Sequence, residues 1–164
     1  MSEAKIFNLS NLSWDQWSRD ERIGVKIKDP ARKLGSQLCG FRVERLQPGK
    51  QSSPLHRHHL QEEMFLILNG TGTLRHGTKE IPVKAGDFIL YLAGDLDPHM
   101  FINTGNEPLE FIATGNRSSY EVCEYPEEGT VFVEALKKTV PNEEVRGTRE
   151  ATEAWYKAGQ ETKK

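Results

Sequence analysis

The chain has 164 residues, 28% of them charged, and its 24 acidic and 22 basic side chains leave a formal net charge of −2 at pH 7. That length suits one domain with short extensions and allows one hydrophobic core. The even spread of charge offers no basic stripe to a phosphate backbone, which argues against nucleic acid as a partner. The start, MSEAKIFNLS, has no basic region leading into an apolar stretch, and the longest apolar run, MFLIL, is far below the roughly 20 residues that cross a bilayer. A soluble, cytoplasmic protein with no membrane partner is expected.

Residues 1–36 read as an N-terminal arm. SNLSWDQWSRD carries capping residues around Trp14 and Trp17, whose spacing would place both on one face of a short helix or arm packed onto the body, and KIKDPARKLG is turn-like around Pro30. Over 37–125 the pattern changes to short β stretches separated by turns: QLCGFRVERL, SPLHRHH, EMFLIL, GTLRH, KEIPV, DFILYL, HMFIN, PLEFIAT and YEVCEY. This is an all-β pattern, with no strand–helix alternation to suggest a parallel α/β sheet. Asn69-Gly70 is a hairpin signal, because a tight I′ turn needs positive φ at both central residues. In 126–164, VFVEAL fits a last strand or a helix, and EEVRGTREATEAWYKAG predicts a polar helical tail. Phe65, Ile67, Phe88, Leu90, Phe101 and Phe111 are the expected core.

The chemistry concentrates in HRHHLQEEMFLILNG, residues 56–70. Residues two apart on a strand share a face, so His56 and His58 project together while Arg57 points away. Glu63 is in phase with Phe65 and Ile67, and a strand paired alongside would carry its carboxylate to the same interior. His99, in phase with Phe101 and Asn103, is a fourth candidate. Three neutral imidazoles and one carboxylate suit Fe, Mn, Ni, Zn or Cu, so one divalent transition metal is expected. His59 faces opposite to His58 and is the candidate for acid–base work; His76, in the turn RHGT, reads as solvated. Arg42, Arg45 and Arg75 lie on predicted strands, where an inward guanidinium would hold a carboxylate or phosphate. Cys39 and Cys123 lack metal or redox spacing and read as two half-buried, reduced thiols.

These residues resemble the cupins, small double-stranded β-helix (jelly-roll) barrels with the motifs G-x5-H-x-H-x(3,4)-E-x6-G and G-x5-P-x-G-x2-H-x3-N. Gly49, His56, His58, Glu63 and Gly70 occupy the first, with one extra residue between Gly49 and His56; six residues separate Glu63 from Gly70, so Glu62 should face outward. Gly86, Gly94, His99 and Asn103 fit the second, with Leu92 in place of the proline and a turn two residues longer before His99. The resemblance covers roughly residues 37–115. It extends more closely to single-domain cupins with INTGNEPL- and VCEYP-like stretches, some of which carry the name sugar-phosphate isomerase.

The resemblance implies a small-molecule substrate and a homodimer in which the arm crosses to the neighbour, covering an edge strand. Three functions fit: a metal-dependent isomerase or lyase acting on a small oxygenated molecule such as a sugar or sugar phosphate, an Fe- or Ni-dependent dioxygenase, or a non-enzymatic small-ligand-binding module.

Overall fold

The computed structural model describes residues 4–143. Two short strands, β1 (Asp15–Ser18) and β2 (Gly24–Lys28), form a hairpin, and β2 pairs antiparallel with β3 (Cys39–Leu46) of the same chain. The stretch expected as a short helix or arm thus supplies two strands to the sheet, after a 3-10 turn at Leu9–Asn11. Between β2 and β3 lies one helical turn, α1 (Pro30–Lys33), set by proline at its start and by Asp29, whose Oδ1 accepts the Arg32 N–H at 2.8 Å.

The remaining strands are β4 (Arg57–His58), β5 (Glu63–Asn69), β6 (Thr71–His76), β7 (Lys79–Lys84), β8 (Phe88–Tyr91), β9 (His99–Ile102), β10 (Leu109–Asn116), β11 (Val122–Tyr125), β12 (Thr130–Val133) and β13 (Lys138–Pro141). VFVEAL therefore supplies a strand and then a 3-10 turn at Glu134–Leu136. The expected helical tail falls mostly on residues 144–164, outside the described residues.

One layer is a six-stranded sheet ordered β1-β2-β3-β10-β5-β8. The other is built from a three-stranded sheet, β7-β6-β9, and a four-stranded sheet, β13-β12-β11-β4, stitched by the antiparallel bridges Gln51↔Ile102 and His56↔His99. This is the expected jelly-roll barrel. Its interior holds Val25, Leu46, Phe65, Ile67, Leu74, Tyr91, Phe101, Leu109 and Phe111. Phe65 meets Tyr91, Phe101 and Phe111 edge to face at 5.0–6.4 Å between centroids, contacts worth about 0.5–1.5 kcal/mol each beyond buried area.

Three expectations are corrected here. Phe88 and Leu90 are 62% and 47% exposed, because Glu63 pairs with Tyr91 and that register turns Ile89 and Tyr91 inward. Apolar residues occupy both faces of FILY, so alternation could not choose between them. Asn69-Gly70 is not a hairpin: β5 pairs with β10 and β8, whereas β6 pairs with β7 and β9, so the chain changes sheets there. Only Gly70 has positive φ (84°), and a Cβ on it would stand 2.5 Å from the Pro108 carbonyl oxygen, so glycine serves close approach as well as the corner. Trp17 is 44% exposed, whereas Trp14 lies against two cations, with Lys28 Nζ 4.8 Å and Arg45 Cζ 4.2 Å from its ring centroid.

Candidate functional site

β4 is only two residues long, and its neighbours hold it in place. His56, just before it, exchanges both backbone hydrogen bonds with His99 at the start of β9, at 3.2 and 2.7 Å. Two of the candidate ligands are thus direct cross-strand partners. Gly94 N–H donates to the His58 carbonyl at 3.2 Å, so the lengthened turn before His99 closes against β4.

Glu63, at the inward phase of β5, is the centre of the cluster. Its Oε2 lies 3.0 Å from His99 Nε2, 3.2 Å from His58 Nε2 and 3.9 Å from His56 Nε2. All three imidazoles turn the same nitrogen toward one carboxylate oxygen. One ligand atom each from His56, His58 and Glu63 lie within 4.8 Å of one another, a set that does not include His99. His99 is 1% exposed and stacked on Tyr91, with centroids 3.8 Å apart and planes 17° apart. That stack explains how His99 reaches its place despite the altered second motif. Glu62 is exposed, as its phase requires.

The other ring nitrogens are individually managed. His56 Nδ1 lies 3.0 Å from the Pro54 carbonyl, a contact that places its proton on Nδ1 and frees Nε2 as a lone-pair donor. Burial, with His99 beside it, pushes the His56 pKa down to about 3 and keeps this ring neutral. For His58 burial opposes the charged form, but the Glu63 carboxylate outweighs it and the pKa is raised. Burial likewise opposes ionisation of Glu63, and the close approach of the His58 and His99 rings reverses that, holding its carboxyl well below the usual range. Both ring nitrogens of His58, and Nδ1 of His99, are buried without an aligned hydrogen-bond partner among the described residues. Of these, His58 Nε2 lies beside the ionised Glu63 carboxylate, and that unfilled nitrogen fits a transition-metal ion that would take its lone pair.

Glu121 is a further site residue for which the sequence pattern offers no signal. It is 3% exposed, and its two carboxylate oxygens accept the N–H groups of His59 and Leu60 at 2.9 and 3.1 Å. Oε1 is also 3.4 Å from His58 Nδ1, off the line of a full hydrogen bond. Glu121 therefore fixes the chain where it leaves β4 and faces the back of the His58 ring. On the opposite side of β4, Arg57 donates from Nε and Nη2 to Glu124 Oε2 at 2.9 and 2.7 Å.

The cluster opens into a cavity of about 710 Å³ lined by residues of both layers, including Arg42, Glu44, Phe65, Arg117, Glu121 and Tyr125. Glu44, absent from the sequence-based candidates, is 5% exposed; burial raises its carboxyl pKa even though Arg42 Nη2 lies 3.0 Å away. His59 is exposed, does not line this cavity, and has its Nε2 3.4 Å from Glu124 Oε2. Of the three candidate arginines only Arg42 faces the cavity. Arg45 pairs with Glu110 at 2.6 Å, and Arg75 with Glu127 at 2.5 Å. His76 is not simply solvated: Nδ1 contacts the Tyr91 hydroxyl at 3.2 Å and Nε2 the Asp97 carboxylate at 3.3 Å. The two thiols also differ from expectation. Cys39 is exposed, while Cys123 is buried with its pKa pushed up to about 12 by desolvation.

Residues 42–115 match the sequence profile of the family described as Cupin domain. The chain carries a cupin domain. An oxalate-binding protein of Thermotoga maritima is 41% identical over 73 residues, which cover 44% of this chain and 58% of that protein. The chain spans 58–63% of the length of the curated relatives it matches. Among solved structures, a sugar phosphate isomerase from a cupin superfamily of Silicibacter pomeroyi superposes with a TM-score of 0.70 at 25% identity, covering 77% of this chain and 85% of that one. A predicted oxalate decarboxylase from Thermotoga maritima superposes at 0.60 with 26% identity, covering 70% of this chain and 100% of that one. Among the described residues, no helix is long and apolar enough to cross a membrane.

Proposed function

We propose that this cupin domain binds one divalent transition metal through His56, His58, Glu63 and His99, and acts as an isomerase or lyase on a small oxygenated molecule such as a sugar or sugar phosphate. The observation that carries the reading is the convergence of three Nε2 atoms on one Glu63 oxygen in a cavity of about 710 Å³. A divalent ion held there supplies polarisation of a substrate carbonyl or hydroxyl oxygen. The chain's own residues supply the rest. Glu44, which lines the cavity beside Arg42 and whose pKa is raised by burial, is the group assigned to proton transfer. His59, outside the cavity, is not given that role.

A second reading has a specific observation behind it. The 41% identical relative is named for binding oxalate, which favours a small dicarboxylate as ligand, held without turnover or with decarboxylation. Elemental analysis of the purified protein, followed by assays on sugar phosphates and on oxalate with the metal-loaded form, separates the two. Isomerisation of a sugar phosphate that disappears on chelation supports the first. Oxalate binding or loss with no isomerisation supports the second, and no metal after reconstitution overturns the first.

The same reading includes a homodimer. β2 pairs within its own chain, and the outer face of β5 and β8 exposes Leu66, Leu68, Phe88 and Leu90, an apolar face that a second copy would cover. Light scattering on the eluting protein tests this; a monomer at assay concentration overturns it.

A further inference from the structure

Away from the histidine cluster, the cavity carries two guanidinium groups that the reading above leaves unused. Arg42 belongs to the inward row Gly40, Arg42, Glu44, Leu46 of β3, and Glu44 is its one ion-pair partner among the described residues. Arg117 follows β10. Its backbone N–H donates to Leu38 O at 2.7 Å and its Nη1 to Ser36 O at 2.9 Å. Its Nε stands 3.6 Å from where a Cβ on Gly40 would be. Gly40 and Arg42 are neighbours on that row, about 7 Å apart along the strand, so the two forks stand side by side over one face of β3. Gly40 pairs with Gly115, so neither strand puts a side chain beneath them.

The other charged groups lining the cavity have partners of their own. Arg19 is held by Glu128, Glu134 is bonded to Lys137, Asp29 caps α1, and Glu121 accepts two backbone N–H groups. Each of the three cavity arginines, Arg19, Arg42 and Arg117, has one guanidinium nitrogen engaged and so keeps donors, but only Arg42 and Arg117 lie together along the β3 row, and Arg117 alone has no carboxylate partner among the described residues. A planar carboxylate has two oxygens and is satisfied by one fork, whereas a phosphoryl group has three terminal oxygens and can accept from two.

We propose that Arg42 and Arg117 together form the subsite that holds a phosphoryl group of the substrate. This names the substrate class for the cavity, a phosphorylated small molecule, and rests on reading that cavity as the substrate chamber. Glu44 lies beside the subsite on the same row, so a proton on Glu44 releases Arg42 from its ion pair and strengthens the anion's hold. Glu63 and Asp29 face Glu44 from other elements and Arg42 from its own, and each contributes to where that proton sits.

The test uses the full chain stripped of metal with a chelator, titrated with inorganic phosphate while the arginine Nε–H signals are followed by NMR. Saturable binding is expected to shift the Arg42 and Arg117 signals together. Arg42→Gln and Arg117→Gln should each weaken it tenfold or more, and Arg75→Gln, whose guanidinium lies on Glu127 away from the cavity, should leave it unchanged. Acetate should bind at least tenfold more weakly than phosphate. If Arg42→Gln fails to fold, Arg42→Lys retains the charge without the fork and should still weaken binding. No saturable binding, parental affinity in either cavity variant, or acetate matching phosphate would each overturn the subsite. Because the measurement needs no metal, a failure of metal loading leaves its outcome unaffected.

Discussion

Replacing Glu121 by Gln probes how the clustered histidines are held. The carboxylate accepts two backbone N–H groups, from His59 at 2.9 Å and Leu60 at 3.1 Å, at a residue 3% exposed. Glutamine keeps the shape but only one acceptor, so one of these N–H groups must face an amide NH2. Leaving one buried donor unsatisfied costs about 1–3 kcal/mol, a large share of the roughly 5–15 kcal/mol that holds a domain folded. The second consequence falls on the site. Glu121 Oε1 is the acidic atom behind His58 Nδ1, at 3.4 Å, and loss of such an outer partner typically weakens metal affinity 10- to 100-fold. Urea unfolding of the metal-free protein reads the first effect, and competition with a chromophoric chelator for Zn²⁺ reads the second. Glu124→Gln, which alters the Arg57 pairing and the His59 contact but touches none of the clustered ligands, should leave Zn²⁺ affinity within a few fold. A Glu121→Gln protein that is destabilised yet binds Zn²⁺ as tightly as the parent would refute the role assigned toward His58. Unchanged stability would refute the hydrogen-bond argument itself.

His58→Ala should remove most bound metal measured by elemental analysis while Glu62→Ala should not, since Glu62 is exposed; equal losses would break the assigned register. Glu44 has a folded pKa raised by burial above its ordinary value of 4.5, so the native state holds the extra proton and stability falls as pH climbs from about 4.5 through the raised value. Urea midpoints of Glu44→Gln and the parent should therefore diverge in the variant's favour across that window, after the lost Arg42 contact is referenced at pH 4; parallel curves would contradict a buried, raised carboxyl. Gly70→Ala forces a Cβ to within 2.5 Å of the Pro108 carbonyl oxygen at a φ of 84°, and the backbone strain alone should cost about 1–3 kcal/mol in thermal or chemical unfolding.

The amino-acid sequence by itself determined the parts that depend on strand parity. A period of two puts His56 and His58 on one face and Glu63 with Phe65 and Ile67 on another inward face, and the resemblance to the cupin motif, with six residues before its closing glycine, selects Glu63 over Glu62. The β character of nearly every stretch from β3 to β11 was legible for the same reason. Only the tertiary structure decided which parity faces inward where both are apolar, as in FILY, where pairing with β5 exposes Phe88 and buries Tyr91. It also decided that Asn69-Gly70 crosses between sheets, because a turn signal specifies backbone angles and not the partners of the strands on either side. Glu121, Glu44 and the Arg42–Arg117 row depend on which distant strands lie against β3 and β4. Those contacts join residues dozens of positions apart, and local pattern carries no record of them.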